Sequence, residues 1–224
     1  MKIIAITTSP KGKRSSTLRL VTSAAEAAER GGAEVEYIDV AKLHLKYCIG
    51  CAVCHKTGKC PRKDDFNDVV ERMLDADGFI LSSPNYMEGV TGQMKVFMDR
   101  HCDIVHCQKY GGKYSISLAT CGGNYGEHIV RFMDTFMVKC GATALGGVGA
   151  PVVKDPSTID LAIGKAYEKG VELITAIKEK RVIPEQEAAH NGARNYFAGL
   201  LKTDHRDLWA SDYKYFVRKG WIKE

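Results

Sequence analysis

Residues Lys2–Arg30 read KIIAITTSPKGKRSSTLRLVTSAAEAAER. The first part, Lys2–Thr8, is a continuous apolar run, as expected of a strand buried on both faces. A polar loop, Ser9–Thr17, follows, and Ser16–Arg30 has helical periodicity closed by Gly31 and Gly32. Strand, short loop and helix in this order make the opening unit of an α/β parallel sheet. The loop runs straight into the helix, so N–H groups, the hydroxyls of Ser9, Ser15, Ser16 and Thr17, and the Lys11 ammonium gather where an anion is well placed. There is no GK[ST] and no GxGxxG spacing, so a terminal monophosphate fits better than a nucleoside triphosphate or a dinucleotide. The plain alternative is an ordinary N-cap from Ser15 or Ser16.

The same alternation continues to about residue 180. Four more strands are expected, at Glu34–Val40, Gly78–Ser82, Lys113–Thr120 and Ala142–Val148. Helices are expected at Asp65–Asp75, Thr91–Arg100, Tyr125–Lys139 and Ile159–Lys180. The second strand alternates polar and apolar residues like an edge strand, whereas the third is continuously apolar. That pattern predicts a flavodoxin-like, doubly wound five-stranded parallel sheet of order 2-1-3-4-5. Past Pro184 the repeat stops. The expected division is a flavodoxin-like domain over 1–183, with a cysteine-bearing loop at 47–61, and a helical extension over 184–224. The extension holds a helix at Glu185–Leu201 and then Trp209, Tyr213, Tyr215, Phe216 and Trp221. These aromatics either dock the tail on the domain or on a neighbour, or form a lid over a cofactor.

The chain has 224 residues, 45% hydrophobic and 26% charged, with a formal charge of +5. This is ordinary for a globular protein, and the scattered cations argue against nucleic acid. No stretch approaches a membrane span, and the N-terminus lacks the pattern of a signal peptide, so a cytoplasmic location is expected. In that compartment eight cysteines point to metal or redox chemistry rather than to disulfides.

Four of them, Cys48, Cys51, Cys54 and Cys60, have the spacing C-x2-C-x2-C-x5-C. Three thiolates at every third residue let one irregular turn wrap a [4Fe–4S] cubane, whereas structural zinc usually takes two separated pairs; zinc stays open as the alternative. Cys102, Cys107, Cys121 and Cys140 read as small buried hydrophobes. Cys102 and His106, one helical turn apart, are a weak candidate metal pair. His128 reads as a surface residue, and Asp99 and Arg100 as structural ion-pair or subunit-contact residues.

Ligands of an open parallel sheet bind beyond the carboxyl ends of its strands, where the strand order reverses. The loop after the third strand reads Ser83-Pro84-Asn85-Tyr86-Met87, and that after the fourth Thr120-Cys121-Gly122-Gly123-Asn124. Both offer what a flat isoalloxazine ring needs: backbone amides for its polar edge, flat or soft side chains such as Tyr86 and Met87, and glycines that allow close approach.

With the Ser-Pro-Lys opening, the stretch SSPNYMEGVTGQMKVFMDR and the cysteine run, residues 1 to about 180 resemble the iron–sulfur flavoprotein family. That family is a branch of the NADPH-dependent FMN reductase-like flavodoxin fold. The resemblance implies FMN and a [4Fe–4S] cluster as cofactors. It also implies that Ser9, Lys11, Ser15, Ser16 and Thr17 hold the phosphate, and that Pro84, Asn85, Tyr86, Thr120, Cys121, Gly122 and Gly123 hold ribityl and ring. The first loop is one residue longer than the usual form, with Ser16-Thr17 where Asn-Thr is typical, and the tail lies outside the shared core. The expected function is an oxidoreductase relaying electrons from a ferredoxin-like donor through the cluster to FMN and on to a small acceptor. No side chain is expected to act as a catalytic acid or base. The rivals are an NAD(P)H-dependent FMN, quinone or nitro reductase without a cluster, and a non-catalytic redox or metal sensor. A homodimer, or a tetramer built from dimers, is implied by resemblance.

Overall fold

The computed structural model describes residues 1–123, 125–152 and 157–223. Five strands, β1 (Lys2–Thr7), β2 (Glu34–Asp39), β3 (Gly78–Pro84), β4 (Tyr114–Cys121) and β5 (Thr143–Pro151), form one sheet of order β2-β1-β3-β4-β5 with every pairing parallel. This is the expected flavodoxin-like order. The expected strand ends differ from the observed ones most at β5, which runs on to Pro151, and at β3, which carries Pro84 onto the sheet opposite Thr120.

Period-two alternation assigns the two faces. Ile4, Ile6, Phe79 and Leu81 pack with α3 (Phe66–Leu74), α4 (Gly92–Asp99) and α6 (Gly126–Lys139), whereas Ile3, Ala5, Ile80, Ile116 and Leu118 pack with α1 (Ser16–Arg30) and α7 (Ser157–Glu179). Each fully buried Ile or Leu in these layers is worth about 1.5–3 kcal/mol, so burial on both faces specifies register strongly. Edge strand β2 has one buried residue, Ile38, as its alternating pattern requires. The free edge of β5 is blunted by Gln186, whose side-chain amide exchanges two hydrogen bonds with the backbone of Ala144 (2.8 and 2.9 Å).

Four short helices have no counterpart in the sequence expectation: α2 (Val53–Thr57), α5 (Cys102–Cys107), α9 (His205–Leu208) and α10 (Ala210–Arg218). The expected tail helix is α8 (Pro184–Leu200), with Pro184 in its first turn. Tail residues Leu201, Phe216 and Ile222 bury a small second core against Cys107 of α5. No helix among the described residues is long and apolar enough to cross a membrane.

The start of α6 fixes the loop that leaves β4. Gly126 and Gly149 meet backbone to backbone: a Cβ on Gly149 would lie 2.3 Å from the carbonyl carbon of Gly126. Gly149→Val is expected to lower the unfolding free energy by about 1–3 kcal/mol in urea titrations. Gly92→Ala, where an added Cβ meets nothing within 4 Å, should leave it unchanged or slightly raised.

Candidate redox site on the carboxyl rim

The loop after β1 opens directly into α1 as expected, with a 3₁₀ turn (Gly12–Arg14) inside it. Ser15 is the N-cap of α1, its Oγ accepting the Leu18 N–H at 3.3 Å, and Ser16 and Thr17 open the helix. Buried hydroxyls tie this loop to the one after β3. Thr8 Oγ1 donates to Ser82 O (2.9 Å), Thr91 Oγ1 donates to Thr8 O (3.3 Å), and the Thr91 N–H donates to Ser83 Oγ (2.9 Å). Thr91 is also the N-cap of α4, so α4 and both loops are set together. The Asn85 N–H donates to Thr120 O (2.7 Å), and Thr17 Oγ1 lies 2.5 Å from Thr120 Oγ1, which joins the third loop.

One cleft results, lined by Ser9, Lys11, Ser15, Ser16, Thr17, Pro84, Asn85, Tyr86, Thr120, Cys121 and Gly122, with Val152 added. Two expected members are elsewhere. Tyr86 and Gly89 close a two-residue hairpin whose central residues, Met87 and Glu88, both have positive φ, and this turn leaves Met87 98% exposed and off the cleft. Gly123 is also outside the lining, and Asn124 falls outside the described residues. The Cys121 thiol is buried and donates to carbonyls, in keeping with an unreactive reading, and His128 is on the surface. Asn85 Oδ1 is buried and, among the described residues, has no hydrogen-bond partner. An acceptor left unmet inside a cleft whose wall is a helix N-terminus fits a ligand with an anionic end and polar N–H or O–H groups, as FMN has.

The cysteine run follows β2 after residues 40–47, which line a groove along α4, and it meets Arg100 at the carboxyl end of that helix, one helix length from Thr91 and the cleft. Residues 44–52 have no regular structure, positive φ at Gly50 and Ala52 bends the chain, and α2 then carries Cys54. Cys48, Cys51, Cys54 and Cys60 line one cavity of about 150 Å³ together with Ile49, His55, Arg62, Arg100 and Cys102. Among the described residues that lining includes no carboxylate. Among the described residues Arg62 Nε is buried there without a partner, and Arg100 Nε donates to Cys60 Sγ at 3.2 Å. Converging thiols, two guanidinium groups and an unmet N–H fit an electron-rich anionic cluster whose sulfurs accept hydrogen bonds.

Two polar knots hold this loop. Arg100, with no side-chain exposure, pairs through Nη1 and Nη2 with Asp64 (2.8 and 3.1 Å), donates to Lys46 O (2.7 Å) and stacks on Phe66. Its ion pair is as expected, and Asp99 pairs with Lys95. Asp212 of α10 accepts from His55 of α2 (2.8 Å) and His106 of α5 (3.1 Å), with Trp209 beside both rings. The two rings stack at 4.0 Å. A shared carboxylate suits this better than an ion, which needs both in-plane lone pairs to converge at about 2 Å. The tail aromatics therefore dock on α2 and α5 rather than over the cleft of Ser9 and Asn85. The weak candidate pair Cys102 and His106 does not come together: His106 turns to Asp212, and Cys102 turns to the cysteine cavity. Cys102 is exposed, not buried, because it starts α5 where that helix faces the cysteine loop; Cys107 and Cys140 are buried as expected.

Residues 1–152 match the NADPH-dependent FMN reductase family. An iron–sulfur flavoprotein of Methanocaldococcus jannaschii is 31% identical over 66% of this chain and 76% of its own length. The chain belongs to the NADPH-dependent FMN reductase family and, within it, to the iron–sulfur flavoproteins. It is an FMN-dependent oxidoreductase. An iron–sulfur flavoprotein of Archaeoglobus fulgidus is 29% identical over 99% of this chain and 100% of its own length, so that likeness runs through the tail. Among solved structures, a flavone reductase superposes with a TM-score of 0.65 at 20% identity, over 80% of this chain and 63% of that one, and this likeness concerns the fold alone.

Arg100→Gln strands the Asp64 carboxylate, and a loss of about 3–5 kcal/mol is expected in urea titrations. Burial raises the Asp64 carboxyl, but the Arg100 guanidinium and the N–H groups of Lys46 and Phe66 outweigh it and lower it to about 2. A carboxyl lowered in the fold stabilises above its unfolded value of about 3.9, and that stability is lost as pH falls through the folded value. Melting temperatures should accordingly drop between about pH 4 and pH 2, and less steeply in Asp64→Asn.

Proposed function

We propose that this iron–sulfur flavoprotein takes electrons from a ferredoxin-like donor through a [4Fe–4S] cluster at Cys48, Cys51, Cys54 and Cys60, and passes them by way of FMN to a small acceptor. The observation that carries the reading is the cysteine cavity: the four thiols of the run, with Cys102 beside them, around one space that guanidinium groups line and, among the described residues, no carboxylate enters. When bound, the cluster exchanges single electrons and FMN exchanges one or two, so the pair joins one-electron to two-electron carriers.

The chain binds and tunes these groups. Ser9, Lys11, Ser15, Ser16 and Thr17 take the phosphate at the N-terminus of α1. Pro84, Asn85, Tyr86, Thr120, Cys121 and Gly122 take ribityl and ring, Asn85 Oδ1 accepting from a donor on the ligand. Arg100, hydrogen-bonded to Cys60, favours the more negative state of the cluster and so raises its potential. Exposed Tyr47, Ile49, Cys48 and Cys51 give a donor a direct approach. The groove between Val40–Tyr47 and the face of α4 with Gln93 and Val96 suits a second copy of the chain, in keeping with a dimer or a dimer of dimers. Residues 1–183 form the cofactor-binding unit in this reading, and 184–224 the extension that steadies the cysteine loop.

The family description also supports NADPH as donor without a cluster. FMN-loaded wild type and Cys51→Ala, mixed anaerobically with reduced ferredoxin or with NADPH, separate the two by the rate of flavin bleaching. Ferredoxin should bleach the wild type at least about tenfold faster than the variant. Equal rates with ferredoxin, with NADPH fast in both, would overturn the relay.

A further inference from the structure

Five thiols, not four, face the cysteine cavity among the described residues: Cys102 lines it beside Cys48, Cys51, Cys54 and Cys60. Its thiol donates to Asp99 O at 3.4 Å, at the edge of the cavity that Cys48 also lines. A cubane has four irons, each needing one protein ligand, so one of these thiols is surplus.

Cys48 and Cys102 are held in opposite ways. Cys48 is exposed within residues 44–52, which have no regular structure. Cys102 follows His101, which is fully buried, with Nδ1 bonded to Phe97 O (2.8 Å) and Nε2 to the Tyr110 hydroxyl (3.0 Å). The core therefore sets the position of Cys102 whatever the loop does, whereas Cys48 depends on the loop.

We propose that Cys102 is a reserve ligand for the iron that Cys48 holds, a fifth cysteine that takes over that coordination position when Cys48 leaves it. This rests on the cluster assignment above. In the exchange the Cys102 thiol loses its proton and its sulfur bonds to iron, while the Cys48–iron bond breaks and the Cys48 thiolate takes up a proton. No electron moves, and the charge of the centre is unchanged. Both residues are exposed, so both protons have solvent to go to. The consequence is a cluster that survives chemical damage to Cys48, an exposed ligand.

The test compares full-length, anaerobically reconstituted wild type with Cys48→Ala, Cys102→Ala, the double variant and Cys51→Ala, each checked for fold by far-UV circular dichroism and FMN content. Iron and sulfide are counted, and iodoacetamide labelling is mapped by mass spectrometry. Cys48→Ala and Cys102→Ala should keep iron within about twofold of wild type, while the double variant and Cys51→Ala fall about tenfold, as loss of a ligand without replacement requires. Cys102 should be alkylated in wild type and protected in Cys48→Ala. Iron as low in Cys48→Ala as in the double variant, or iron as high in the double variant as in Cys48→Ala, overturns the reserve role. A wild type that takes up no iron overturns the cluster assignment itself, and the reserve role with it.

Discussion

The Arg100 guanidinium closes the cysteine loop from beneath, and the redox site depends on that closure. It reaches Lys46 on the entering strand of the loop, Asp64 on the leaving strand and the sulfur of Cys60, all from the end of α4. Asp64 in turn accepts the Lys46 N–H, and Asp65 accepts the His44 N–H, so the two stems are held side by side. Buried charge is costly to desolvate, and it persists here because every charged atom is paired. Helix α4 also begins at Thr91, within the hydroxyl network of the loops after β1 and β3. One rigid helix thus spans from the nucleotide-type cleft to the cysteine cavity.

The tail supplies a second restraint from the other side. Asp212 is buried and accepts from one imidazole on α2 and one on α5; burial raises its carboxyl, but His106 and His55 outweigh that and hold it below the usual range. Gly58, at the end of α2, has a φ of +80°, which strains any other residue, and the Ser211 hydroxyl lies against it. The loop is therefore gripped between α4 and α10 while Cys48 and Cys51 remain open to solvent. This combination suits a centre that must stay in place yet be reached by an electron carrier.

The sheet order, the long helices and eleven of the expected cleft residues were legible in the sequence, because apolar periodicity and strand-end loops are local signals. The four short helices were not: α2, α5 and α9 span six residues or fewer, too few for a helical period to show, and α10 takes its stability from packing on the tail core. The place of Met87 was not legible for a related reason: its soft side chain is local information, but the hairpin that turns it outward is set by pairing of Tyr86 with Gly89. Cys102 and Asp212 join the cysteine loop only through tertiary folding, across 42 and 152 positions from Cys60 by their numbering, and no spacing rule announces such partners.

The central claim is that this one chain holds two redox centres, one at each end of α4. It is tested most directly by counting iron, acid-labile sulfide and FMN in anaerobically purified protein. The account predicts about four iron and about four sulfide for each FMN. One FMN with zinc, or with no metal, would contradict it.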